Sequence, residues 1–208
     1  DLVRTKSDAV GLVVRGVSNP FYTDIIRAIE RTITDAGFTM VMQQIGTCDD
    51  EVKCGAVMER EKRLQGIVFL GGRFDYTPAD LAMLNVPFVC CSYSNRYGTL
   101  IEGEYSSVSI ADGDTAQQAV EELYRHGHRR IAALISRPND QSISQLRYEG
   151  YVQALESHGI PVDPELVIST GGFSAKDAYR AVQEKMAENV DFTALFAIAD
   201  SMATVSYT

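Results

Sequence analysis

The chain has 208 residues, of which 45% are hydrophobic and 23% are charged, a balance typical of globular domains. No apolar run approaches the roughly 20 residues that a membrane-spanning helix needs, and the polar start at residues 1–7 shows no signal peptide. The formal net charge of −9 disfavours direct binding of this chain to nucleic acid, because an acidic surface repels phosphates.

The first strand and helix are the most informative segment. Val10–Val14 is an apolar run with an interrupting glycine, which predicts a strand buried on both faces. A helix is expected from about Pro20 to Ala36, with Asn19 as its N-cap and Gly37 ending it. Ligands of open α/β sheets bind where strands end and helices begin, so this turn is a predicted ligand site.

Three more strand–helix units follow with short connections. Strands predicted to be parallel alternate with helices in this block, which runs Phe38–Ile45 (strand), Asp49–Arg63 (helix), Gly66–Leu70 (strand), Pro78–Leu84 (short helix) and Val86–Cys91 (strand). Arg15 and Arg73 follow the first and third strands, where they either reach an anionic ligand or stay solvated.

The alternation breaks at Ser92–Ser106, which we interpret as a loop and crossover with a short strand at Val108–Ile110. It then resumes. The predicted helices are Asp112–His126, Gln141–His158 and Ser174–Ala187, the predicted strands are Arg130–Ser136, Leu166–Thr170 and Ala194–Ala199, and Asp200 caps a last helix that has scarcely begun.

These two blocks predict an α/β fold with two doubly wound parallel-sheet lobes. The predicted N-terminal lobe covers residues 8–106, and the C-terminal lobe covers residues 107–208. Because the second lobe stops inside a strand–helix unit, we expect it to be incomplete and the chain to be a piece of a longer protein.

Cysteine and histidine spacing indicates no metal site. The chain has no Cys-x-x-Cys pair, and the histidines show no ligand spacing with the cysteines, which are Cys48, Cys54, Cys90 and Cys91. Reduced thiols of a cytoplasmic protein are the simpler interpretation. We expect no cofactor.

The sequence offers little support for an enzymatic function. Asp112, Asp114 and His128 are the only obvious acid–base side chains, and they lie at opposite ends of one predicted helix, too far apart to act together. With no nucleophile–base pair and no phosphate-binding glycine loop in the sequence, we expect a protein that is not an enzyme.

Several motifs, taken together and in order, resemble the effector-binding core of LacI/GalR-type bacterial transcription regulators, which share the type I periplasmic-binding-protein-like fold. The segments that carry the resemblance are Val10–Val14 with Ser18–Tyr22, Leu64–Leu70, Gly127–Ala132, Arg147–Leu155, Ile160–Leu166, Thr193–Ala197 and Asp200–Ala203.

The resemblance implies a repressor whose core binds a small effector, a sugar or related metabolite, between two lobes. Lobe closure would act on a helix-turn-helix domain that contacts operator DNA in a homodimer, and residues 1–7 would follow the hinge. A second hypothesis is an extracytoplasmic solute-binding protein of the same fold. It predicts a signal peptide before Asp1, whereas the regulator predicts a helix-turn-helix; the segment Gly127–Ala132 favours the regulator.

The resemblance also implies which residues contact the ligand. Arg147 matches the family's effector-binding arginine, and the alternative is a salt bridge with Glu149 or another neighbour. Phe21 and Tyr22 either contact the effector or pack in the core, and Asn19 either contacts it or only caps the helix.

Four further positions depart from the family pattern or have a structural alternative. Ser92 stands where the family often has an acidic residue, which puts a pyranose ligand in doubt, and Tyr93 is either a stacking ring or a rim tyrosine. Phe173 matches an aromatic contact or anchors a loop. Asp200 either contacts the ligand or caps its helix, and Ala199 replaces the asparagine usual before it.

Overall fold

A computed structural model describes residues 7–16, 21–46, 49–101 and 103–204 of the chain. It divides into two compact units, Asp1–Ser109 and Ile110–Thr208. The sequence-based boundary lies three residues earlier. Asn19, Pro20, Cys48 and the expected post-hinge segment up to residue 6 lie outside the described ranges. The N-cap position of the first helix is occupied by Phe21, so the prediction of Asn19 as the cap is wrong, whereas its ligand contact stays a prediction.

The first unit is built on a five-stranded, all-parallel sheet with strand order β2-β1-β3-β4-β5. Its elements, in chain order, are β1 Ala9–Arg15, α1 Tyr22–Asp35, β2 Thr39–Ile45, α2 Glu51–Lys62, β3 Gly66–Leu70, α3 Pro78–Leu81, β4 Phe88–Cys91 and β5 Ser106–Val108.

Hydrophobic patterning explains this sheet. β1 is buried almost throughout, because Leu12 and Val14 pack against the isoleucines of α1 while α2 also packs against β1. α1 begins at Tyr22, two residues later than expected, and ends at Asp35. Gly37 follows this end with a left-handed φ of 81°, which glycine adopts without strain. All the strands are parallel, so Arg15 and the residues after β3 and β4 meet at one carboxyl edge.

The second unit contains a three-stranded parallel sheet with strand order β7-β6-β8. Its elements are α4 Asp112–Arg125, β6 Ile131–Ile135, α5 Ile143–Ser157, a 3-10 turn at Pro164–Leu166, β7 Val167–Ser169, α6 Ala175–Ala187, β8 Ala194–Ala197 and α7 Asp200–Ala203.

Helices α4 and α5 approach each other closely at Gly150. A Cβ atom at this position would lie 2.2 Å from the Gly113 carbonyl oxygen and 2.9 Å from the Gln117 amide nitrogen, so only glycine fits. The next residue, Tyr151, is fully buried, and its hydroxyl donates to the Ile131 carbonyl at 2.8 Å. The glycine therefore brings α4 and α5 together next to the central strand.

Two further local predictions are wrong. The crossover strand lies at Ser106–Val108, two residues earlier than expected, because it pairs with β4 as the edge of the first sheet. Asp200 is not an N-cap: Ala199 occupies that position, with no side-chain cap, and Asp200 is the first helical residue. Within the described ranges, no helix combines the length and the apolar character that a membrane crossing demands.

Candidate functional site

The carboxyl edge of the second sheet holds an arginine–aspartate pair. Arg147 on α5 reaches Oδ1 of Asp112 on α4 with Nε at 2.9 Å and Nη2 at 2.8 Å. Its Nη1 donates to the Ile198 carbonyl, just after β8, at 2.5 Å. The pair is anchored by three elements, and the Arg147 side chain keeps 21% of its surface exposed. Such a fixed guanidinium can bind ligand oxygens with little loss of side-chain entropy.

Sequence reasoning missed the partner of Arg147. Asp112 entered the analysis only as an acid–base candidate, whereas the expected alternative partner, Glu149, accepts from Gln145 instead. No sequence pattern marks this role, because carboxylates in a first helical turn usually face water, whereas Asp112 at the start of α4 is buried.

Other predicted contacts of the second unit gather at the same edge. Phe173 follows β7 with 39% of its surface exposed, and its carbonyl accepts from the hydroxyl of Ser201, one residue after Asp200. Asp200 itself is exposed. Arg147, Phe173 and Asp200 thus all lie on segments that follow the strands of this sheet.

A polar loop after β6 lies at this edge too. Asp140 accepts from the Ser136 hydroxyl at 3.1 Å and from the backbone and hydroxyl of Ser142, the N-cap of α5. These bonds hold the start of α5 and therefore help to position Arg147, which lies in its second turn.

In the first unit, the adjacent rings of Phe21 and Tyr22 have different environments. Tyr22 is half-buried and packs with the cluster of Leu12, Val14 and Leu70, the core position that was the alternative prediction. Phe21 is 55% exposed, and its ring centroid lies 5.9 Å from that of Tyr22. Of the two rings, that of Phe21 is the more exposed.

Tyr93 is not a tyrosine at the rim of a loop, and its role as a stacking ring for a ligand stays a prediction. Tyr93 is 3% exposed and is enclosed by aromatic rings of its own unit, Phe74, Tyr76 and Tyr105, at centroid distances of 5.6–6.0 Å. Burial raises the pKa of its hydroxyl, which donates to Asn95 at 2.7 Å. Ser92, just before it, is half-buried at a left-handed φ of 55°, and its ligand contact stays a prediction.

The two arginines after β1 and β3 are both paired with acids. Arg15 Nε lies 3.5 Å from Glu51 Oε2 and donates to the Asp49 carbonyl. Arg73 pairs with Asp75 at 2.9 Å and with Asp50 at 3.4 Å, and the hydrogen bond to Asp75 raises the pKa of this guanidinium. These pairs show that neither side chain is simply solvated, and contact of either arginine with an anionic ligand stays a prediction.

No group of three or more histidine, cysteine or acidic side chains among the described residues is placed to hold a metal ion. The acid–base candidates are engaged separately: Asp112 pairs with Arg147, and His128 Nδ1 lies 3.0 Å from the Thr193 hydroxyl. Cys54, Cys90 and Cys91 are free thiols, and burial raises the pKa of Cys90 to about 12. Such a buried thiol is a poor nucleophile.

This arrangement agrees with the comparison with known families. Residues 7–208 match the model for periplasmic binding proteins and the sugar binding domain of the LacI family. The chain therefore belongs to this family.

Two curated relatives are named as regulators. The chain is 34% identical over 206 residues to the HTH-type transcriptional regulator MalR of Clostridium butyricum, covering 97% of this chain and 60% of MalR. It is 30% identical over 200 residues to the HTH-type transcriptional repressor CytR of Escherichia coli K12, covering 96% of this chain and 57% of CytR. The chain thus spans about 60% of the length of these curated relatives.

A solved structure of a regulator is also similar. The complex of the transcriptional regulator CelR with cellobiose superposes with a TM-score of 0.79 at 27% identity, covering 97% of this chain and 62% of that chain. A LacI-family regulator from Escherichia coli in complex with phosphate, at 22% identity and a TM-score of 0.76, shares the fold.

Proposed function

We propose that this chain is the ligand-sensing core of a cytoplasmic, DNA-binding transcriptional repressor of bacteria. The observation that carries the proposal is similarity along almost the whole chain to MalR and CytR, both named HTH-type regulators. The effector is a sugar or a related metabolite. Operator DNA is bound by a segment outside this chain, and the protein acts as a homodimer.

The carboxyl edges of the two sheets supply groups suited to such an effector. Arg147 and Asp112 form a fixed donor and acceptor pair for hydroxyl groups. Each unit carries an exposed aromatic ring, Phe21 in the first and Phe173 in the second, and each offers apolar surface to a sugar. Asn19, Ser92 and Asp200 remain proposed contacts.

The proposal is tested by calorimetric titration of the full-length gene product with cellobiose, ribose, nucleosides and small organic acids. We expect binding of at least one sugar or nucleoside, and a helix-turn-helix in the sequence encoded before Asp1. A signal peptide in that place would favour an extracytoplasmic solute-binding protein of the same fold. Failure of every sugar and nucleoside to bind would contradict a sugar-sensing role.

A further inference from the structure

An arginine at the carboxyl edge of the second sheet has no acidic partner, and the proposed function leaves it unused. Arg137 lies in the loop between β6 and α5, and its side chain is exposed. It forms no ion pair with any residue that the structure describes. Other arginines of the second unit each pair with an acidic side chain; these are Arg125, Arg130, Arg147 and Arg180.

The guanidinium of Arg137 is nevertheless held in place. Its Nε donates to the Gly171 carbonyl at 2.7 Å, which links the loop after β6 to the loop after β7. Its two Nη atoms donate to no group within the described ranges. Fixing an arginine side chain costs rotamer entropy, and the tether has already met that cost for any group that binds the Nη atoms.

The loop that carries Arg137 is fixed by its own hydrogen bonds. The Asn139 amide donates to the Gln145 side chain at 3.0 Å, and one Asp140 oxygen accepts from the Ser136 hydroxyl at 3.1 Å. The other Asp140 oxygen accepts from the serine that caps α5. Both oxygens of the acid nearest to Arg137 in the sequence are therefore occupied within the loop, and the backbone after Arg137 is restrained.

Other side chains around the loop after β7 define the kind of ligand that fits. Phe173, two residues after Gly171, presents an exposed ring, and Lys176 in the first turn of α6 is an exposed cation without an ion pair to a described residue. Asp200 is an exposed acid that opposes an anion, and Ser201 beside it donates to the Phe173 carbonyl. The unused donors, rather than net charge, therefore favour a ligand with acceptor oxygens.

We propose that Arg137 is a specificity-determining contact for an anionic group of the effector, a phosphate monoester or a carboxylate. This inference rests on the proposed function, in which the effector binds at this carboxyl edge. A planar guanidinium matches two oxygens of such a group, and charge-assisted hydrogen bonds are stronger than those to a neutral hydroxyl. Arg147 already has its counter-ion in Asp112, so it suits the hydroxyl groups of the same ligand.

Calorimetric titration of the full-length gene product with ribose and ribose 5-phosphate tests this contact. We expect the wild type to bind ribose 5-phosphate about tenfold or more tightly than ribose. Arg137→Ala should abolish the preference by weakening ribose 5-phosphate binding, with less than about a threefold change for ribose. Arg180→Ala, which removes an arginine paired with Asp177, is the control and should keep the preference. A wild-type preference for ribose, or an undiminished phosphate preference in Arg137→Ala, would overturn the proposal.

If neither sugar binds, the thermal unfolding midpoint in sodium phosphate, sodium acetate and sodium chloride of equal ionic strength decides. Phosphate or acetate, relative to chloride, should raise the wild-type midpoint by about 2 °C or more above its effect on Arg137→Ala, because a bound anion stabilises the folded state. The general effect of each salt is common to both proteins and cancels. A response to phosphate alone indicates a phosphate monoester, and a response to acetate alone indicates a carboxylate. Equal midpoint shifts in both proteins would overturn the anion contact, whereas a wild-type response without sugar binding would support it and count against a sugar effector.

Discussion

Arg147 and Asp112 are 35 residues apart in the sequence, and their side chains meet at 2.8–2.9 Å at the carboxyl edge of the second sheet. The bond joins the beginnings of α5 and α4, and a third bond ties the guanidinium to the chain after β8. An ion pair anchored in this way stabilises the packing of the second unit, and we propose that it also contacts the effector.

Replacing Arg147 should therefore affect folding and binding together. We expect Arg147→Ala to lower the free energy of unfolding by about 2 kcal/mol, because it leaves the Asp112 carboxylate buried without its cation. Effector affinity should fall by a further few kcal/mol. Urea unfolding and calorimetry measure the two effects. Arg180→Ala, which breaks an exposed pair with Asp177, is the control and should change either quantity by less than about 0.5 kcal/mol.

The exposed rings should contribute to binding and hardly to stability. Phe21→Ala and Phe173→Ala each remove a ring that keeps much of its surface in water, so the free energy of unfolding should change by about 0.5 kcal/mol or less. Effector affinity measured by calorimetry should drop several-fold. Met186→Ala removes a still more exposed apolar side chain, in the last turn of α6, and should leave affinity unchanged. Equal losses in all three variants would refute specific contacts.

Close packing of α4 on α5 should make Gly150 intolerant of a side chain. Gly150→Ala would drive a methyl group into the Gly113 carbonyl, and we expect a loss of about 1–3 kcal/mol of stability in urea unfolding. Gly172→Ala is the matched control, since a Cβ there meets nothing within 4 Å. A Gly150→Ala protein as stable as the control would show that the helices pack less tightly than described.

The buried Tyr151 hydroxyl should make stability fall at alkaline pH. Burial raises its pKa to about 12 in the folded chain, against about 10 when unfolded. The folded state therefore keeps a proton that the unfolded state releases, so this contribution is complete below pH 10 and is lost as the pH rises towards 12.

Tyr151→Phe tests that sign directly. At pH 7 the variant should be about 1 kcal/mol less stable than the wild type, because the bond to the Ile131 carbonyl is lost. Between pH 10 and pH 12 the gap should shrink, as the wild type loses the stabilisation that the variant never had. Urea unfolding at three pH values measures it, with the exposed Tyr179→Phe as control. A gap that widens with pH would contradict the assignment.

Much of the fold follows from local sequence signals. The predicted strand Gly66–Leu70 has the bounds of β3, and α4 begins at the predicted Asp112, because an apolar run and a helix start are encoded within a few neighbouring residues. The family's arginine, Arg147, also lies at a sheet edge where parallel α/β folds bind ligands.

The features that sequence analysis predicted wrongly or missed depend on contacts between residues that are far apart in the sequence. The burial of Tyr93 requires rings from residues 74, 76 and 105, and the burial of Glu51 requires the loop after β3 to close over it. The spacing of hydrophobic residues along the chain does not indicate such neighbours. The partner of Arg147 was missed for the same reason, since Asp112 lies on another helix.

We propose that effector binding at Arg147 controls a DNA-binding regulator. The most direct test measures the operator affinity of the full-length protein with and without a saturating sugar found by calorimetry, for the wild type and for Arg147→Ala. The account predicts a change of about tenfold or more in the wild type, in the usual range of allosteric coupling, and little response in a variant that still binds the operator. Operator affinity that is indifferent to bound sugar in the wild type, or an unimpaired response in Arg147→Ala, would contradict it.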